Sequence, residues 1–141
     1  MPPILRGYRA ALETYNLSYN EKWVIINSIN PDDGIEAIRQ WWLDKDKPDC
    51  LFCANNVSAM AIIQYLKSLS IPKDIAIVGY SNELSTTLIS PSLTTIDQLA
   101  YPMGTVAMEK LYSLLSNAHE HKEERFVLPL QLIVRESSGY L

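Results

Sequence analysis

Basic residues are outnumbered in this chain, glycine is rare, and no glycine-rich loop is present; each shortage removes a class of function. Twelve Lys and Arg face sixteen Asp and Glu, giving a net charge of −4 and a pI near 5.1. Such a surface repels phosphate backbones and lacks the basic footprint of a nucleic-acid binder, so this chain by itself is not expected to hold DNA. With five glycines and no phosphate-cradling loop, nucleotide chemistry has no visible home. The two histidines, His119 and His121, share one charged stretch. They sit far from any serine at a sharp turn, so no nucleophile–base pair emerges and an enzyme is not expected. No cofactor or metal is expected either. No apolar run reaches the roughly 18–20 residues of a membrane span. MPPILRGYRA lacks the apolar core and cleavage site of a signal peptide, which makes the cytoplasm the default location.

Cysteine is nearly absent too, but its two copies form a CxxC string, Cys50 and Cys53. A redox CxxC opens a helix and a zinc site needs two further ligands. This pair lies in a strand-like run, where residues three apart face opposite sides. Two reduced, buried thiols that pack as small hydrophobes are the expectation.

What is present is a globular composition, 48% hydrophobic and 20% charged, sufficient for one domain with its own core. Helical spacing predicts a helix over 4–16 with Ile4, Tyr8, Ala11, Leu12 and Tyr15 inward, and another over 31–43 burying Ile35, Ile38 and Trp42. The second has a strong start, with Asn30 as N-cap, Pro31 in the first turn, and Asp32 and Asp33 at the positive end of the dipole. Further helices are predicted over 57–69 and 100–116. Apolar, β-branched runs predict strands at 23–27, 50–53, 75–79 and 94–96, then two short ones at 126–128 and 132–134. Strands alternating with helices through short loops specify an α/β fold, a doubly wound, mostly parallel sheet flanked by helices. Three of these strands, in CLFCANN, IAIVGYSN and SLTTIDQ, end abruptly in polar residues. Ligands of parallel sheets sit at the carboxyl ends of the strands, so these ends describe a small-molecule cleft.

The strings PDCLFCANN, IPKDIAIVGYSN, SPSLTTIDQLAYPMG and LPLQLIVRESS, in this order and spacing, resemble the effector-binding domain of the LacI/GalR transcription regulators; GYRAALETYNL extends the resemblance over nearly the whole chain. The resemblance implies a periplasmic-binding-protein-like core of two subdomains with the ligand between them. Residues 1–96 would be the second subdomain, and 97–130 a hinge crossing plus a helix and strand of the first. Residues 131–141 would be the return strand. The helix-turn-helix headpiece and nearly all of the first subdomain would lie outside this chain, with DNA contacted only through that headpiece. By the resemblance, the effector is a small polar molecule, sugar-like, and the protein a homodimer. Leu84, Leu88 and Ile89 are its candidate interface. A periplasmic-type solute-binding protein shares the architecture and stands as the alternative.

Each candidate ligand residue carries a second reading. Asn55 serves either an effector hydroxyl or the N-cap of the following helix, with Asn56 the expected cap. Ser81 and Asn82 are ligand contacts or plain turn residues. Ser81 stands where the family commonly has Asp, which argues against a standard family sugar, because a charged acceptor bonds roughly twice as strongly as a neutral one. Gln98 either faces the cleft or bonds the hinge backbone. Ile29 occupies a position where relatives place a ring that stacks on the sugar, and it offers no such face.

Overall fold

The computed structural model describes residues 1–26, 30–43, 47–69, 75–116 and 123–139. Its element order is α1 (Pro3–Thr14), a 3₁₀ turn (Glu21–Trp23), α2 (Pro31–Leu43), β1 (Cys50–Phe52), α3 (Asn56–Ser68), β2 (Ala76–Tyr80), the short α4 (Ser85–Leu88), β3 (Thr94–Asp97), α5 (Ala100–Ser116) and β4 (Gln131–Ile133). The strands form one sheet in the order β1-β2-β3-β4. Cys50 pairs with Ala76 and Val78 with Thr94 in parallel ladders, and β4 returns antiparallel with Ile133 opposite Thr95. This is the mostly parallel α/β sheet that the sequence specifies.

The core lies between the sheet and the α2–α3 pair. Ile38 of α2 meets Ala59, Ile62 and Ile63 of α3 over Leu51, Ile75, Ile77 and Leu93. The i, i+3, i+4 spacing of Ala59, Ile62 and Ile63 puts all three on one helical face. Asn30 Oδ1 accepts from the Asp32 N–H at 3.2 Å, satisfying one of the orphan donors at the start of α2. In that helix Ala37 and Ile38 are buried and Ile35 is half-buried. Residues 135–138 close the sheet at the amino ends of β2 and β3. Ser137 donates its hydroxyl to Ile77 O at 2.6 Å and accepts from the Thr94 N–H at 2.8 Å, while its backbone joins Ile77 and Ser92.

Several expectations are corrected. Residues 23–26 form no strand: Trp23 ends the 3₁₀ turn, Val24 is extended, and Ile25 and Ile26 are exposed; Asn27 lies outside the described residues. Residues 126–128 form no strand among the described residues either. Both runs have strand-like side chains, but a strand exists only against a neighbour that takes up its N–H and C=O groups, and neither finds one among the described residues. Helix α1 buries nothing. Leu5, Tyr8, Arg9 and Leu12 are half-covered while Tyr15 is exposed. Cys50, on the outermost strand among the described residues, is exposed rather than buried.

Helix α5 is the outlier. Although Met103, Met108, Leu111, Tyr112, Leu114 and Leu115 cover one half of it, none of its residues is buried. Its main neighbours are Phe126 and Leu128, which line a shallow groove with Met103, Val106 and Ala107. Lys110 reaches Glu124 at 2.7 Å and lies 4.5 Å from the Phe126 ring centre.

Candidate functional site

The three polar strand ends do converge. β1, β2 and β3 are parallel neighbours, so Asn55–Asn56, Ser81–Asn82 and Asp97–Gln98 line one rim of the sheet at its carboxyl side, the ordinary ligand side of such a fold.

Asn55 has extended backbone (φ −150°) and its Oδ1 accepts from the Ser58 N–H at 2.8 Å. It is therefore the N-cap of α3, a role expected of Asn56. Extended backbone at the residue before the first turn is what lets a side chain fold back onto the helix. Asn56, one residue on, is buried (3% exposed) and points under the rim. Its Nδ2 donates to Ser81 O, an oxygen that also accepts from Thr95 Oγ1 at 2.8 Å. The Ser81 N–H meanwhile donates to Ile96 O at 3.0 Å.

That clamp holds Ser81 at φ 119°, a region that costs a non-glycine residue on the order of 1–3 kcal/mol. Gly79 makes the clamp possible. A Cβ there would stand 2.5 Å from Asn56 Oδ1 and 2.8 Å from Leu93 Cδ2. The Ser81 hydroxyl is half-exposed and reaches Glu83 Oε1 at 3.2 Å. A carboxylate thus stands next to the serine that replaces the expected acid.

Asn82 is held at both ends of its amide, by Arg135 (2.6 Å) and Asp97 (3.0 Å). Gln98 is half-buried, and its side chain has no hydrogen-bond partner among the described residues, which leaves all four of its bonding positions available. Ile29, His119 and His121 lie outside the described residues. Leu84 and Leu88 are each 75% exposed, one helical turn apart, whereas Ile89 packs against the core. Arg135, whose guanidinium reaches Asn82 on the rim from a backbone at the amino end of β3, is the residue that sequence reasoning missed. Its only signal was a cation directly after an apolar strand.

Burial, with a smaller contribution from Cys50, pushes the Cys53 thiol up to about 12. Partial desolvation by its neighbours, and secondarily the nearby Asp49, also raises the exposed Cys50. Both are thiols, not reactive thiolates, at neutral pH. Among the described residues no group of three or more His, Cys, Asp or Glu side chains is placed to hold a metal, and no helix is long and apolar enough to cross a membrane.

A mostly parallel sheet with helices packed on it and a polar rim at its carboxyl side is the arrangement in which α/β proteins hold small molecules. Residues 2–138 match the periplasmic binding protein-like domain family. The chain is 31% identical over 134 residues to the HTH-type transcriptional repressor PurR of Histophilus somni, covering 94% of this chain and 40% of that protein. It is 32% identical, over 94% and 41%, to the NTD biosynthesis operon regulator NtdR of Bacillus subtilis. Among solved structures, the transcriptional regulator CelR–cellobiose complex superposes with a TM-score of 0.82 at 28% identity, covering 95% of this chain and 41% of that one. The chain belongs to the periplasmic binding protein-like domain family, in the form carried by LacI/GalR-type regulators. It spans about two-fifths of the length of the regulators it matches.

Proposed function

We propose that this chain forms one lobe of the effector-binding core of a transcription regulator. A small, polar, hydroxyl-bearing molecule rests on the carboxyl ends of β1–β3. Its binding favours one arrangement of the two lobes, and that bias reaches a DNA-binding part outside this chain. The observation that carries this reading is the convergence of Asn55, Ser81 and Gln98 on one rim, with Gln98 lacking a partner among the described residues.

Residues 1–96 supply this lobe. Residues 97–130 cross the hinge and carry α5 into the other lobe, and the chain returns from 131. The exposure of nearly all of α5 supports this division, because a helix with a broad apolar face left open among the described residues is one that packs against a larger body. Leu84 and Leu88 supply part of a homodimer interface. The regulator works in the cytoplasm, where its operator is.

The test is calorimetric titration of the full-length regulator with a panel of mono- and disaccharides and nucleosides, followed by operator binding with and without the ligand found. One class of panel member is expected to bind and change operator affinity, and Gln98→Ala should weaken that binding about tenfold. The reading fails if no panel member binds, or if a bound one leaves operator affinity unchanged. A full-length protein with no affinity for any DNA would favour the solute-receptor alternative.

A further inference from the structure

Asn82 stands on the cleft rim, yet its amide faces along the sheet. Its Oδ1 accepts from Arg135 Nη2 at 2.6 Å and its Nδ2 donates to Asp97 Oδ2 at 3.0 Å. A guanidinium only donates and a carboxylate only accepts, so the amide fits between them one way round. Arg135 is itself anchored. Its Nη1 donates to Leu93 O at 2.7 Å and to Thr86 Oγ1 at 3.0 Å, and its own N–H donates to Thr94 Oγ1 at 2.8 Å.

At the far end, Asp97 Oδ1 accepts from the Leu99 N–H at 2.7 Å. Leu99 has φ 53°, a left-handed backbone that a leucine keeps only when its surroundings impose it. The Leu99 carbonyl in turn accepts from the Met103 N–H at 2.9 Å, inside the first turn of α5. One uninterrupted line of hydrogen bonds therefore runs from the amino end of β3, past its carboxyl end, to the start of α5.

We propose that Arg135, Asn82 and Asp97 form a positioning relay that holds the left-handed turn at Leu99 and so sets the direction in which α5 leaves the sheet. Asn82 is then a transmitter rather than an effector contact. Under the functional reading above, on which only this consequence rests, an effector that draws Asn82 away from Asp97 loosens the hinge. The relay itself belongs to the chain with or without a ligand.

Amide hydrogen exchange on the chain, without ligand, tests it. Asn82→Ala should speed exchange at Leu99 at least tenfold, seventeen positions away, and leave Ile62 and Ile63 in α3 unchanged. Asn82→Asp keeps the acceptor for Arg135 and sets a second carboxylate against Asp97. It should speed Leu99 similarly in a chain still anchored at Arg135. Exchange at Leu99 within twofold of the parent in both variants overturns the relay. So does a uniform rise through α3, which would mark general loss of stability. A relay upheld here, beside a full-length protein that binds no panel member, would separate failure of the effector reading from failure of this one.

Discussion

Helices α3 and α5 are built from similar stock and meet opposite fates. α3 buries Ala59, Ile62 and Ile63 against the sheet, whereas α5, with two methionines, two tyrosines and three leucines, buries nothing. The difference does not lie in composition. α3 sits between two consecutive parallel strands, so the crossover that joins them presses its apolar face onto the sheet. α5 follows β3 past the left-handed Leu99 and returns only through the antiparallel β4, so nothing in its connection lays it on the same layer. Apolar residues specify that a surface wants cover; topology decides whether this chain provides it.

The largest effect that would test the contrast comes from truncating matched side chains. Ile62→Ala should cost about 2–5 kcal/mol of unfolding free energy, by lost transfer energy plus a cavity. Leu111→Ala in α5 should stay within about 0.5 kcal/mol, as surface changes do. Denaturant melts of the two variants check this, and equal losses would dissolve the distinction. Gly79→Ala follows. Its methyl strikes Asn56 and Leu93, an overpacking loss of about 1–3 kcal/mol.

Alkaline pH probes the core side of the contrast next. The folded pKa of Cys53 is raised to about 12, so the folded state holds the thiol proton more tightly than the unfolded one. That stability is complete below the ordinary thiol range near 9 and drains as pH rises toward 12. The loss between pH 9 and 11 should be on the order of 2 kcal/mol, and pH-dependent melts of Cys53→Ala should lack that share of the slope.

Asn55→Ala should cost about 1 kcal/mol by uncapping α3, visible as a small drop in melting temperature. The smallest stability effect is expected for Leu88→Asp, at an exposed position, yet sedimentation should show self-association of the full-length regulator falling. Unchanged association would remove α4 from the interface.

Much of this contrast was legible in the residues. The spacing of Ala59, Ile62 and Ile63 and the Asn30–Pro31 start carry their own geometry, because helices are closed by local bonds. The runs at 23–27 and 126–128 misled for the complementary reason, since a strand is completed by a neighbour that sequence pattern does not reveal. At the rim, the polar strand ends were readable, but the division of labour between Asn55 and Asn56 was not. It turns on a single backbone angle that aims one amide at the helix and the next at Ser81. Arg135 was invisible because its partner Asn82 lies 53 positions away.

Ser137 gives the assembly a direction in time. Its hydroxyl joins Ile77 across 60 positions, and Arg135 secures Asn82 across 53, so these ties form only after residues 135–137 have been made. A ribosome adding about 5–20 residues per second would have the α2–α3 layer ready seconds before the segment that tightens the sheet emerges. Through that interval the sheet has its helical cover but not the segment that ties β2 to β3 at their amino ends.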